Sequence, residues 1–504
     1  MSDKIISNKR IAKNTLYLYF RSALIMLVSL YASRIVLNAL GAQDYGIYNV
    51  VAGIISMVSF FNTSLAFAVQ RYLNYEMRKG SINVLRSIFT ISILGNCILS
   101  IIIVLLAETV GFWFIKTQLV IPVDRLQAAI WVYQCSIFTF VTVVLGTTYN
   151  AVIIAHEKMS IYAYISIIEV ILNLFAALLL NELPVDKLQI YGILTLAVSV
   201  IIRGSYICIC RKRFPECHFH WTWDITLFKN LFSFSGWMLL GTISSMLSTQ
   251  GVNILMNIFF GPLYNAARAV AVQVNSAVNS LFYNFMLAVK PQIIKSYSQS
   301  DYFDTYQLIF RSSKYGMLLV FMFIAPLLLY TDIVLGLWLK NIPEFSILYT
   351  RLTIVNLLIT VLFVPLSSVA EANGNMRKYQ SAVSITFLLI FIITYICYLF
   401  NLPSYTTFIV SILISLLGLV IRLYILKHTF KFPAKQYVSV VIYPIIKVSG
   451  ISFMILYLIY LYIPKNIISF FLLLLFSLIS VSILAYQTAC NKEEKKMIKK
   501  YLNL

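Results

Sequence analysis

Long apolar runs separated by short polar segments carry the chain from about residue 14 to residue 489. Many exceed the roughly 18 to 20 residues that a helix needs to cross a bilayer. The pattern predicts membrane-spanning helices at about 14–40, 45–70, 84–107, 126–154, 159–181, 188–210 and 227–258. It continues with spans at about 263–289, 306–331, 346–372, 378–400, 404–427, 437–462 and 466–489. The predicted fold class is therefore an all-α polytopic membrane protein with about 14 transmembrane helices.

Composition agrees. Of the 504 residues, 60% are hydrophobic and 11% charged, against roughly 25% charged in soluble globular domains. This excludes a cytosolic enzyme, a secreted disulfide scaffold and a disordered chain. The net charge of +21 is explained by topology. With the N-terminus inside, and residues toward span ends counted with the adjoining segment, 27 of the 39 Lys and Arg fall in inner segments, six in outer loops and six deeper within spans. Short cytoplasmic loops retain basic residues, so both termini are expected in the cytoplasm. Spread over eight short segments, these charges are unlike a nucleic-acid footprint, and no nucleic-acid partner is expected. No small-residue cleavage site follows Lys4, Lys9, Arg10 and Lys13, so the first helix reads as uncleaved. None of the seven cysteines falls in an outer loop, which implies no disulfide. Cys208, Cys210, Cys217, His218 and His220 fit no standard zinc-ligand spacing, and no metal is expected.

Sliding the chain by 220 residues places Gly41 on Gly261 and Ala68-Val69 on Ala288-Val289. Farther on, Glu108, Trp113 and Pro122 are echoed by Asp332, Trp338 and Pro343, and the inner turn 155–159 by 373–377. Spans 1–6 and 7–12 thus read as two copies of one unit, each with an even number of spans and so parallel in orientation. The expected organisation is a six-helix bundle over 1–210, a basic, aromatic linker over 211–226, a second bundle over 227–430, and an appended hairpin with a basic tail over 431–504. Pro326, Pro365 and Pro444 fall inside spans and are candidate hinges.

Ionisable groups inside spans are costly and usually face a cavity or a partner. The basic ones are Arg21, Arg34, Arg203, Arg268, Arg422 and Lys447; the one deep carboxylate is Glu169. Arg21, Arg203 and Arg422 lie near inner ends, where snorkelling is an alternative. Arg34 and Arg268 each lie about seven residues from a repeat glycine, roughly 10 Å along a helix. Polar stripes flank them: Asn265, Arg268, Asn275, Asn279 and Tyr283 on one helix; Thr242, Thr249, Gln250, Asn253 and Asn257 on another; Tyr162, Ser166, Glu169 and Asn173 on a third. Interhelical hydrogen bonding is the bland explanation. The favoured one is a hydrated, cationic substrate cavity formed by Arg34, Arg268, Asn275, Asn279, Arg21, Gln250, Asn253 and Asn257. Arginine stays charged when partly desolvated and grips phosphate oxygens bidentately, while Asn and Gln supply the donors and acceptors that sugar hydroxyls need. Glu169 is a candidate for balancing an arginine or for carrying a coupling ion.

The stretch Ser33–Tyr48, SRIVLNALGAQDYGIY, resembles the first outer turn of bacterial polysaccharide flippases, and the approach Lys9–Thr15, KRIAKNT, is similar to theirs. These are the O-antigen and capsule repeat-unit flippases (Wzx type) of the multidrug/oligosaccharidyl-lipid/polysaccharide (MOP) superfamily. The resemblance extends over about residues 9–430 and is most specific in the first 80. It implies a V-shaped, MATE-like pair of six-helix bundles that moves undecaprenyl-diphosphate-linked oligosaccharide across the bacterial inner membrane by alternating access. It also implies contact with membrane lipids, a polysaccharide polymerase and a chain-length regulator. Related lipid II flippases carry arginines on helices 1 and 8, to which Arg21, Arg34 and Arg268 correspond here; their helix 2 arginine has no counterpart within span 2.

Two other functions compete. A MATE-like drug/cation antiporter would favour acidic residues in the cavity, where this chain places arginines. A membrane glycosyltransferase or polysaccharide polymerase would need a carboxylate pair or a large outer loop. The longest outer loop has about 18 residues and no DxD occurs. No Walker-type phosphate loop occurs either. The expectation is a non-enzymatic transporter without a cofactor.

Overall fold

The computed structural model describes residues 2–57, 66, 69–70, 72–73, 76–77, 82–156, 158–218, 224–225, 243–373, 377–490 and 494–495, with side chains except those of 2–23, 159, 287, 288, 291, 298 and 377. Most of the expected linker beyond His218, Thr242, Ala68 and the Arg21 side chain lie outside this set. The described residues are helical throughout, joined by short turns. Eleven of these helices are long and apolar enough to cross a membrane. One merger and two losses among the fourteen expected spans account for the difference. The first two form one helix bent at Gly41, much of the seventh lies outside the described residues, and the eighth is long but too polar.

The bend is where the repeat becomes visible in the backbone. Helix α1, Ser2–Ser56, breaks at Gly41, with φ 78° and ψ 169°. The corresponding Gly261 has φ 93° and ψ 178°. These two are the positive-φ glycines among the described residues. Such angles place a Cβ in steric conflict, so both turns require glycine.

The chain divides into two compact units, Met1–Ala269 and Val270–Leu504. In the first, α2 (Ile82–Leu106) continues through a π turn at Ala107–Gly111 into Phe112–Thr117. The Ala107 carbonyl, which takes the π-turn bond from the Phe112 N–H, also accepts from the Tyr133 hydroxyl at 2.7 Å. A Cβ on Gly111 would sit 2.0 Å from that hydroxyl, so the glycine makes room for the bond. Tyr133 belongs to α3 (Leu126–Ala155), followed by α4 (Met159–Leu179) and α5 (Lys187–Arg213). Buried polar groups tie these helices together, as expected where lipid offers no hydrogen bonds: Asn96 Nδ2 donates to the Val144 carbonyl and to Thr148, both at 3.0 Å. At the α5 end, Glu216 is buried and pairs with His156, whose ring stacks on Phe214. The unit closes with α6 (Val252–Phe260), which follows a π turn at Leu247–Gly251, and the first turns of α7 (Pro262–Ser298).

The second unit holds the rest of α7, α8 (Tyr302–Leu329), α9 (Ser346–Thr360), α10 (Phe363–Asn373), α11 (Arg377–Leu399) and α12 (Thr406–Phe430). The appended hairpin is α13 (Tyr443–Tyr462) and α14 (Ile467–Leu484). It lies along α8: Ser477 Oγ donates to the Met322 carbonyl at 2.9 Å, and the Tyr330 ring meets Tyr460 and Phe470. Beyond α14, Glu494 pairs with the buried Lys314, whose Nζ also donates to the Ala489 carbonyl at 2.6 Å. The intramembrane prolines differ in effect. Helix α8 runs through Pro326, Pro365 follows the turn that separates α9 from α10, and Pro444 follows a π turn at Val438–Ile442.

Candidate functional site

Two clusters in the first unit gather several of the residues that the polar stripes single out. The first surrounds the repeat-related turns. Gly46, just past the bend of α1, lies against the start of α7; a Cβ there would be 1.9 Å from the Pro262 carbonyl oxygen. Two turns on, Gly53 faces Gln250 and Asn253, whose side chains would come within 3.0 and 3.4 Å of an added Cβ. Asn253 Nδ2 donates to the Asn49 carbonyl at 3.3 Å and its Oδ1 accepts from Asn265 Nδ2 at 2.9 Å. Asn257 holds the loop before α3, accepting from the Val120 N–H at 2.9 Å. Asn253, Asn257 and Asn265 are buried. Together they form a hydrogen-bonded lock between the second half of α1, the Val120 loop, α6 and α7.

Arg268 lies one turn farther along α7, where its Nη2 donates to the Thr249 carbonyl in the π turn at 2.8 Å. Arg34 lies on α1 before the Gly41 bend and is half-buried, with no ion pair or hydrogen bond among the described residues. Asn275 and Asn279 fall in the second unit, the first half-buried and the second exposed. The backbone of Arg21 lies in α1.

The second cluster answers what Glu169 does. Its carboxylate on α4 meets Arg203 of α5 at 3.1 Å. Arg203 therefore does not snorkel to the interface. It turns inward over Gly146 of α3, where a Cβ would lie 2.7 Å from Arg203 Cδ. A glycine on one helix thus admits an arginine from a second to neutralise a carboxylate on a third. Sequence reading supplied both charges but not their pairing; a lone acid and a lone base on consecutive helices was the available signal.

An ion-paired triad lies at the end where α3 and α5 begin. Arg125 bridges Asp44, three residues past the Gly41 bend, and Asp186, with Nε to Asp44 at 2.9 Å and Nη1 to Asp186 at 2.6 Å. Asp186 also caps α5, accepting from the N–H groups of Leu188 and Gln189. Burial opposes the charge on Asp186, but the hydrogen bonds from Arg125 and from Gln189 and Leu188 outweigh it and hold the carboxyl below its usual range. A lowered native pKa contributes stability above the unfolded value, about 4, and loses it as pH falls through the native value. Acidification from about pH 4 down through the lowered native value is therefore expected to remove the Asp186 share of the stability advantage of wild type over Arg125→Met, read as a shrinking difference in thermal midpoints. A difference that stays constant into acid would show that Asp186 gains nothing from Arg125.

With two glycine-turned repeats, polar-locked helices and an appended hairpin, the chain is a multi-pass membrane protein, and its fold has solved counterparts. It is similar to a lipid II flippase, MurJ, in an inward closed conformation, with a TM-score of 0.69 at 13% identity over 98% of this chain and 100% of the other. It is also similar to a multidrug resistance MATE family transporter of the MOP superfamily in an inward-facing conformation, with a TM-score of 0.64 at 11% identity, covering 82% of this chain and 99% of the other. A MOP superfamily transporter from Pyrococcus furiosus gives a TM-score of 0.58 at 15% identity, covering 81% and 94%. The architecture is thus MOP/MATE-like. No family model matches the sequence, and no curated protein matches it.

Proposed function

We propose that this chain is a MOP-type flippase that moves an undecaprenyl-diphosphate-linked oligosaccharide, an O-antigen or capsule repeat unit, across the bacterial inner membrane by alternating access, with both termini cytoplasmic. Its fold neighbours include a lipid II flippase and drug transporters, so the fold alone leaves the substrate open. The charge balance carries the reading. Glu169, the deep carboxylate, is engaged by Arg203, whereas Arg34 is half-buried without a counter-charge among the described residues. A site with spare positive charge attracts an anion, and a guanidinium suits a diphosphate. Arg268, Gln250, Asn275 and Asn279 are the further substrate-facing candidates. In this reading Asn253 and Asn257 act in the lock, which must open for substrate to leave at that end. The chain performs no covalent chemistry, and a polysaccharide polymerase and chain-length regulator are its proposed neighbours in the membrane.

The testing experiment deletes the gene and locates the lipid-linked oligosaccharide. The expected result is accumulation on the inner leaflet with surface polysaccharide lost, restored by wild type but not by Arg34→Ala or Arg268→Ala. Normal surface polysaccharide with new sensitivity to cationic drugs would instead establish the antiporter.

Glu169 separates the two readings in a second way. Glu169→Gln leaves Arg203 uncompensated; with the pair 18% and 32% exposed, the expected cost is about 1–3 kcal/mol, below that of a fully buried pair. The double variant Glu169→Gln/Arg203→Met is expected to recover both stability and transport. Loss of all transport in a stable double variant would assign Glu169 to ion coupling.

A further inference from the structure

Arg422 is buried, 3% exposed, in the middle of the second unit. It does not reach an interface. Its guanidinium folds back along α12 over Gly418, where a Cβ would lie 2.9 Å from Nη1, and Nη1 donates to the Gly418 carbonyl at 3.2 Å. The Phe363 ring covers one face with its centroid 3.7 Å from Cζ, and Phe387 lies at 5.8 Å. The Tyr379 hydroxyl also approaches the guanidinium. No carboxylate pairs with Arg422 among the described residues; Glu371, on the same α10 as Phe363, is engaged by Lys290.

Aromatic rings stabilise the face of a guanidinium but give its in-plane N–H groups no acceptor. Nε of Arg422 is buried and has no hydrogen-bond partner. Beside it is a cavity of about 10 Å³ walled also by Thr386, Phe387, Ile390, Ile414 and Ser415. The space holds a single small occupant, a water or a monatomic ion. A water would satisfy a donor but not the charge, and a buried cation without a counter-charge is costly. A monatomic anion satisfies both.

We propose that Arg422 anchors a binding site for a single halide ion within the cluster of α10, α11 and α12. The guanidinium supplies charge and in-plane donors, and Ser415 supplies a further hydroxyl at the wall. Polyatomic anions do not fit.

The test uses purified full-length protein in detergent at constant ionic strength, with gluconate replaced stepwise by chloride. The thermal midpoint is expected to rise by about 2–5 °C and saturate, as binding to the native state alone requires. Bromide is expected to act likewise and sulfate not. Arg422→Met, close in volume and uncharged, is expected to remain folded and lose the dependence. Independently of any variant, bromide-soaked crystals of the wild type are expected to show an anomalous peak at the edge of the Arg422 guanidinium. Equal midpoints in chloride and gluconate, a chloride dependence that survives Arg422→Met, or no bromide peak in the cavity would each overturn the site.

Discussion

Arg34→Ala is expected to lower transport of a diphosphate-bearing lipid by about 10- to 100-fold while leaving thermal stability within about 0.5 kcal/mol of wild type. The first figure follows from losing a hydrogen-bonded ion pair to phosphate, about 1.5–3 kcal/mol. The second follows because Arg34 holds no other group in place among the described residues, and substitutions free of such roles are usually nearly neutral. Arg34→Lys should recover part of the rate, since it keeps the charge but loses the planar fork. Transport assays paired with thermal melts distinguish the cases. Unchanged transport, or a large loss of stability, would mean that Arg34 is not a substrate contact.

The second large effect is expected at a residue with no functional group. Gly46→Ala places a Cβ 1.9 Å from the Pro262 carbonyl oxygen. Backbone cannot rotate out of the way, so α1 and α7 must separate there. Overpacking of this kind costs about 1–3 kcal/mol, and the Asn49–Asn253 bond one turn away weakens with it. Gly53→Ala is the control. Its nearest contact is the end of the Gln250 side chain at 3.0 Å, which can swing aside. The expected result is a clear fall in thermal midpoint for Gly46→Ala and little change for Gly53→Ala. Equal effects would show that the α1–α7 approach is not a tight backbone contact.

How much of this was legible in the sequence depended on the kind of signal. Gly41 and Gly261 were legible as a repeat because a 220-residue slide superposes them. The positive φ at both turns supplies the reason that each is glycine. Hydrophobic run length gave the helices, with boundaries merging only where α1 bends without a gap. The polar stripes were harder. Asn253, Asn257 and Gln250 recur at helical spacing whether they face a water-filled cavity or the backbone of a neighbouring helix. Only packing shows that Asn253 reaches the Asn49 carbonyl and Asn257 the Val120 loop. Arg203 and Arg422 posed the same problem. Near an inner end, a long side chain can snorkel or turn inward, and the outcome rests on glycines elsewhere: Gly146 on another helix for Arg203, Gly418 one turn back for Arg422. Asp44, by contrast, sits inside the most specific stretch of the sequence; its role became evident only when Arg125 was seen to join it to Asp186.

The central claim is that spare positive charge at Arg34 selects a lipid-linked diphosphate. It is tested most directly in proteoliposomes that carry a fluorescent undecaprenyl-diphosphate oligosaccharide, with a membrane-impermeant quencher reporting which leaflet holds the label. The account predicts protein-dependent movement between leaflets, lost in Arg34→Ala and retained in Glu169→Gln/Arg203→Met. No movement of the lipid by folded wild-type protein, together with ion-driven uptake of a cationic dye that Arg34→Ala leaves intact, would contradict it.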